Sequence, residues 1–256
     1  MSLDLALVEK RLTTNFIGRR LIYLARVSST QDVARSEAKE GAPEGTTVLA
    51  EEQTAGRGRL GRSWASPPGT NLYLTLVMRP PLERLRSLSI VAPLAAAQAV
   101  EETTGLSPRI KWPNDVLIGG RKLAGVLIET ELSGRSPNYS LVGIGLNVNL
   151  DVDRVAEIAG IATSLRRELG REVVREEVLA ALLNRFEALY VEAERGPAVY
   201  AAWRSRLETL GRQVRVTFGE QVEEGLAEDV DAEGSLILRR PDGSKVTIAA
   251  GEVTLR

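Results

Sequence analysis

The chain has 256 residues, with 33 lysines plus arginines against 34 aspartates plus glutamates, a net charge of −1. That balance argues against a protein built mainly to hold nucleic acid by charge, and the length suits one large domain, with or without a small one. There is no cysteine and no histidine. Disulfides, thiolate nucleophiles, Ser-His-Asp catalysis and His-ligated zinc are thereby excluded. Lys, Arg, carboxylates, hydroxyls and backbone amides remain, a set suited to charge neutralisation in phosphoryl or nucleotidyl transfer. No apolar run reaches the roughly 18 residues of a membrane span. The N-terminus lacks the layout of a signal peptide, so the cytoplasm is the expected compartment.

Residues 3–12 carry five apolar positions and predict a short amphipathic helix. The first strand is expected at 20–24. About 20 residues precede it, too few for a helix-turn-helix domain. Ser29 or Thr30 makes a good N-cap for a helix over 31–39, stopped by Gly41 and Pro43. Alternatively, Ser29, Thr30 and Gln31 present polar groups to a ligand at a helix N-terminus. A strand over 46–51 enters the most unusual stretch, Gln53-Thr54-Ala55-Gly56-Arg57-Gly58-Arg59-Leu60-Gly61-Arg62-Ser63-Trp64. Its glycines permit close backbone approach and its arginines suit phosphate. It reads as a mobile loop closing on an anionic, nucleotide-like ligand, or as a solvated basic turn. Trp64 stacks on a base or packs in the core. Residues 56–61 formally match G-x-G-x-x-G, but Pro67-Pro68-Gly69 follow where the dinucleotide fingerprint needs a helix.

Residues 71–79 alternate as a strand, and 84–104 are helical, with Pro93 marking a kink or a first turn and Gly105 a stop. Two short β-like runs flank Trp112-Pro113-Asn114-Asp115, and Gly119-Gly120 make a tight turn. A strand over 123–131 holds Gly125, a sign of close approach by a ligand or another chain. The next, over 139–150, holds Gly143, Gly145, Asn147 and Asn149. Such residues are costly in a strand. Either the glycines clear space and Asn147 faces a ligand, or the strand is bulged around a hydrogen-bonded Asn. Helices follow over 163–169, 174–194 and 197–207. After Gly211, short strands at 214–218, 222–230, 236–239 and 245–249 suggest a small β-barrel, with the boundary near 207–213.

Together, Gly-Arg-Gly-Arg-Leu-Gly-Arg-Ser-Trp at 56–64, Lys-Trp-Pro-Asn-Asp at 111–115, Arg-Lys-Leu-Ala-Gly-Val-Leu at 121–127 and Gly-Ile-Gly-Leu-Asn-Val-Asn at 143–149 resemble the biotin protein ligases. The resemblance covers nearly the whole chain, in the family's short form without an N-terminal DNA-binding domain. It implies an α+β fold, a central mixed or antiparallel sheet with helices over residues 1–209, and an SH3-like β-barrel over 210–256. It implies ATP-dependent formation of biotinyl-AMP and transfer of biotin to a lysine of a biotin carboxyl carrier domain of acetyl-CoA carboxylase or a related carboxylase. Mg²⁺ would accompany ATP, with no metal held by the protein itself. Homodimerisation is expected, and contact with DNA or membrane is not.

Carried over by motif, Ser29, Thr30, Gln31, Gln53, Gly56, Gly58 and Gly125 would shape the biotin pocket, Gln31 standing where the family usually has Asn. Arg57, Gly58 and Arg59 would form the loop over biotin and phosphate. Lys122 would meet the biotin carboxylate or acyl phosphate. Arg62, Trp64, Asn114, Asp115 and Asn147 would surround the adenylate, with Trp64 over adenine, and Lys111 would lie near the reacting carboxyl. Arg57, Lys111 and Lys122 are the expected catalytic cations. A lipoate or octanoate transferase of similar fold, a non-catalytic biotin sensor and a nucleic-acid-binding module are the competing readings.

Overall fold

The computed structural model describes residues 2–134 and 136–255. Helix α1, Leu5–Arg11, is capped by the Asp4 carboxylate, which accepts from the amides of Ala6 and Leu7. Strand β1 (Leu21–Leu24) leads into α2 (Thr30–Lys39), where the Ser29 hydroxyl accepts from the Gln31 amide. Strands β2 (Thr47–Ala50) and β3 (Leu72–Met78) bracket the Gly/Arg loop. Helix α3, Ser87–Thr104, starts later than its pattern suggests because 82–84 form a separate 3₁₀ turn. Pro93 therefore lies inside α3, not in its first turn, and Gly105 ends the helix with φ 72°. Four strands follow: β4 (Arg109–Lys111), β5 (Asp115–Ile118), β6 (Arg121–Ser133) and β7 (Ser136–Leu146). Helices α4 (Leu165–Leu169), α5 (Arg175–Glu192) and α6 (Ala198–Ser205) complete this part.

The seven strands form one sheet in the order β1-β2-β3-β7-β6-β5-β4. Only the β1–β2 pair is parallel; the others are antiparallel, so the sheet is mixed. The two-residue period of β structure gives this sheet two different faces. One face carries Leu72, Leu74, Leu76 and Met78 of β3 with Val142, Ile144 and Leu146 of β7, packed in the main core with α3 and α5. On the other face, Val48, Val77 and Leu141 are covered by Ala34 and Ala38 of α2. Further along that face the register sets Gly125 opposite Gly145 and Leu127 opposite Gly143. At Gly125, Gly143 and Gly145 the sheet presents bare backbone, flanked by the side chains of Tyr73, Thr75 and Leu127. All seven residues of β3 are buried, because the strand is central and covered on both faces.

The C-terminal part is a five-stranded antiparallel sheet, β8 (Gln213–Phe218), β9 (Gln221–Val230), β10 (Leu236–Arg239), β11 (Lys245–Ile248) and β12 (Glu252–Leu255), in the order β11-β10-β9-β8-β12. The last strand was not expected from the sequence. It pairs with β8, setting Glu252 opposite Thr217.

Candidate functional site

The bare stretch of the sheet is roofed by the Gly/Arg loop. The loop folds back on itself as a small hairpin: the Gly58 amide donates to the Arg62 carbonyl at 2.7 Å, and the Trp64 amide to the Gly56 carbonyl at 2.9 Å. At its tip Leu60 and Gly61 both have positive φ, 56° and 74°. The loop lowers the Trp64 indole onto the sheet. A Cβ at Gly145 would sit 2.4 Å from the ring, and one at Gly125 3.0 Å from it. Gly56 is needed for another close approach: a Cβ there would meet the Trp64 carbonyl at 2.5 Å. The two glycines of the floor are the indole's footprint.

Between floor and roof lies a groove with two chambers. The first, about 50 Å³, is lined by Ser29, Thr30, Gln31, Gln53, Arg57, Gly58, Arg59, Trp64, Asn114, Lys122, Gly125, Gly143 and Gly145. The second, about 110 Å³, shares Gly58, Arg59, Trp64, Asn114 and Lys122 and adds Arg62, Lys111, Asp115 and Glu252. Both chambers are narrow, and the Gly/Arg loop forms part of the wall of each.

The far end of the first chamber is polar and uncharged. The Thr75 hydroxyl donates to Thr30 Oγ1 at 2.8 Å, the Thr30 amide and hydroxyl donate to Gln53 Oε1 at 2.9 and 3.1 Å, and Gln53 Nε2 donates to Ser66 Oγ at 3.0 Å. Gln31 Nε2 donates to the Leu127 carbonyl at 3.2 Å, while its buried Oε1 has no partner among the described residues. The buried Trp64 Nε1 is likewise unpartnered. Buried polar atoms without partners are costly, and ligands commonly satisfy them.

The near end is cationic. Lys122 Nζ lies 2.7 Å from Asp115 Oδ1 and 5.3 Å from the centre of the Trp64 ring. Arg59 Nη1 donates to Asn114 Oδ1 at 2.9 Å, and Asn114 Nδ2 donates to the Val126 carbonyl at 2.7 Å. Burial lowers the pKa of Arg59, opposed by the charges of Asp115 and Glu252; it stays protonated. Arg62 bonds Glu252 of β12, which raises the pKa of Arg62 and lowers that of Glu252.

Two expected site residues are engaged elsewhere. Asn147 lies one residue past β7, not inside a strand, and outside both chambers. Its Nδ2 donates to the Thr163 carbonyl at 3.1 Å and its Oδ1 accepts from Asn71 at 3.0 Å, so its amide ties loops together. Arg57 lines the first chamber, but its guanidinium is ion-paired with Asp32 at 2.7 Å. Ser29 both caps α2 and lines the chamber. Sequence reasoning missed Thr75, Ser66, Asp32 and Glu252. Of these only Thr75 left a signal, a hydroxyl on the non-leucine face of β3.

Residues 23–147 match the Biotin/lipoate A/B protein ligase family, and residues 209–256 match the Biotin protein ligase C terminal domain. The biotin–[acetyl-CoA-carboxylase] ligase of Paracoccus denitrificans is 40% identical over 237 residues, 89% of this chain and 97% of that protein. The chain belongs to the biotin protein ligase family. The bifunctional ligase/repressor BirA of Bacillus spizizenii is 36% identical over 244 residues, 93% of this chain and 75% of that protein. The biotin protein ligase of Aquifex aeolicus in complex with biotin and ATP superposes with a TM-score of 0.80 at 32% identity, covering 93% of this chain and 99% of that one. The mixed seven-stranded sheet with helices and the separate C-terminal antiparallel sheet are the fold expected of this family.

Proposed function

We propose that this biotin protein ligase family member binds biotin and ATP, forms biotinyl-AMP, and transfers biotin to a lysine of a biotin carboxyl carrier domain of acetyl-CoA carboxylase or a related carboxylase. The observation that carries the reading is the polarity of the groove. Its inner end offers neutral hydrogen-bonding groups, including the unpartnered Gln31 Oε1, and its outer end offers Lys122, Arg59 and Lys111. A cyclic urea on an apolar arm ending in a carboxylate complements both ends. The dithiolane ring of lipoate has no N–H to offer Gln31 Oε1 and would leave the inner end unsatisfied, at a cost of roughly 1–3 kcal/mol per buried group. That favours biotin over the lipoate reading.

In the first step a biotin carboxylate oxygen attacks the α-phosphorus of ATP, forming the mixed anhydride as pyrophosphate leaves. Two anions must approach, so Lys122, Lys111 and Arg59 lower the barrier by neutralising charge that water no longer screens. Mg²⁺ is proposed to arrive on the nucleotide phosphates. No cluster of three carboxylates gives it a protein site among the described residues, and Asp115 is already paired with Lys122. The Gly/Arg loop, with Trp64 beneath it, shields the anhydride from water. In the second step the acceptor lysine amine attacks the acyl carbon and AMP leaves.

Residues 2–20 hold one helix, α1, in contact with α5. Strand β5 pairs with β6 over 121–125 and Asn114 bonds the Val126 backbone, so among the described residues β6 beyond Val126 has β7 on one side and an open edge on the other. An open edge recruits another strand, which supports a homodimer formed by sheet extension. No helix among the described residues is long and apolar enough to cross a membrane, and the proposed compartment is the cytoplasm. The first test is mass spectrometry of protein incubated with ATP, Mg²⁺ and either biotin or lipoate, without acceptor. Biotinyl-AMP with pyrophosphate release is expected. Lipoyl-AMP alone would overturn the substrate, and neither adenylate would overturn the enzyme.

A further inference from the structure

Each arginine of the Gly/Arg loop is held by a different part of the fold: Arg57 by Asp32 of α2, Arg59 by Asn114 of the β4–β5 corner, and Arg62 by Glu252 of β12. The first attachment is the most elaborate. Arg57 Nη2 lies 2.7 Å from Asp32 Oδ1 and 3.9 Å from Glu129 Oε2 of β6. The Ser28 hydroxyl donates to Asp32 Oδ2 at 3.2 Å, and Arg35 Nη2 holds Glu129 Oε2 at 2.9 Å. Asp32, Arg57, Glu129 and Arg35 thus form a row of alternating charge that meets the first chamber at Arg57. The loop base is bonded through the Thr54 and Ala55 amides to the Val27 and Ser28 carbonyls, while from Gly56 to Trp64 the backbone bonds close on the hairpin itself, leaving side chains to tie the hairpin to the rest of the fold.

We infer that Asp32 and Glu129 are positioning residues that latch the loop shut through Arg57; this rests on the ligase reading, because the groove must open for two substrates and then retain a water-sensitive anhydride. The side chains of Arg57, Asp32 and Glu129 are 37%, 47% and 33% exposed. A pair this wet is weak and breaks readily, as a reversible latch requires. A permanent structural tie would be buried, as the Glu51–Arg175 pair is.

The test uses the full chain with Asp32→Asn and Glu129→Gln combined. Limited trypsin digestion without added substrate, read by mass spectrometry at each site, is expected to cut after Arg59 and Arg62 about two- to fivefold faster than in wild type, as loss of weak surface pairs implies. Cuts elsewhere serve as reference. Asp32→Glu is expected to restore most of the protection. In a second arm, biotinyl-AMP formed on the protein is chased with excess unlabelled biotin. The double variant is expected to release it faster by a similar factor, and added salt to speed release from wild type but not from the variant. Loop cleavage within the error of wild type would overturn the latch. So would cleavage raised equally across the whole chain, which would mark general loosening. If wild type forms no adenylate the ligase reading fails, and the proteolysis arm still decides whether Asp32 and Glu129 hold the loop.

Discussion

Gly143→Ala should weaken biotin binding while leaving the fold nearly intact. A Cβ at this position would lie 2.8 Å from Gln31 Nε2, 3.3 Å from its Cδ and 3.4 Å from the Leu127 carbonyl oxygen. Ordinary contact lies at roughly 3.5 Å, so the amide must retreat by about 0.7 Å. The sheet cannot yield, because β7 is paired at this point with both β3 and β6. The amide end of Gln31 can, and it retreats into the chamber. It then loses its 3.2 Å bond to the Leu127 carbonyl and occupies volume meant for the ligand head. A displaced hydrogen bond and an overpacked pocket together cost about 1–2 kcal/mol, or roughly 5- to 30-fold in Kd. Titration calorimetry with biotin measures the loss, and a thermal melt checks the fold, with a Tm shift of only a few degrees expected. Unchanged affinity would refute the claim that Gln31 and Gly143 shape the inner end of the pocket. A large drop in Tm would show that the added methyl strains the sheet.

Glu51 accepts from the Leu3 amide, the Gly69 amide, the Tyr23 hydroxyl and Arg175, and Glu51 and Arg175 are almost fully buried. Arg175→Met should strand the carboxylate and cost about 3–5 kcal/mol, visible as a Tm fall of roughly 6–20 °C; a fall under 2 °C would contradict this. Burial raises the pKa of Glu51, but hydrogen bonds from Arg175, Tyr23 and Leu3 outweigh it and the net shift is downward. Its folded pKa is therefore below its unfolded one, and its contribution to stability is present above the ordinary carboxylate range and lost on acidification. Tyr23 moves the other way: burial and the Glu51 carboxylate push it up to about 12. Its contribution holds below pH ~10 and is lost as pH rises towards 12, so Tyr23→Phe should flatten the alkaline limb of a urea-stability profile. Lys122→Met should slow adenylate formation at saturating substrate by about 10²-fold or more, measured as single-turnover pyrophosphate release; a change under threefold would remove Lys122 from the chemistry.

Much of this was legible in the sequence because the signals were local. Ser29 announces α2, Gly105 ends α3, and the alternation in 71–79 marks a strand with two different faces. The glycines at 125, 143 and 145 betray a bare floor because glycine is otherwise costly in a strand. What lay hidden was mostly partnership across distance. The partners of Arg57, Arg59 and Arg62 lie 25, 55 and 190 residues away in sequence, so the loop could be read as basic but not as clamped at three points. The partners of Asn147 were hidden for the same reason. Whether its amide faces a ligand or ties loops depends on Asn71 and Thr163, 76 and 16 residues away. Strand β12 is only four residues long, and its identity as a strand comes from β8, about 40 residues earlier.

The most direct test of the proposed activity is intact-mass spectrometry of a biotin carboxyl carrier domain incubated with this protein, ATP, Mg²⁺ and biotin. The expected result is a gain of one biotinyl group on a single carrier lysine, dependent on ATP and abolished in Lys122→Met. A carrier whose mass does not change, while the protein's own adenylate accumulates, would contradict the proposed acceptor; a carrier that takes lipoate in place of biotin would contradict the reading of the groove.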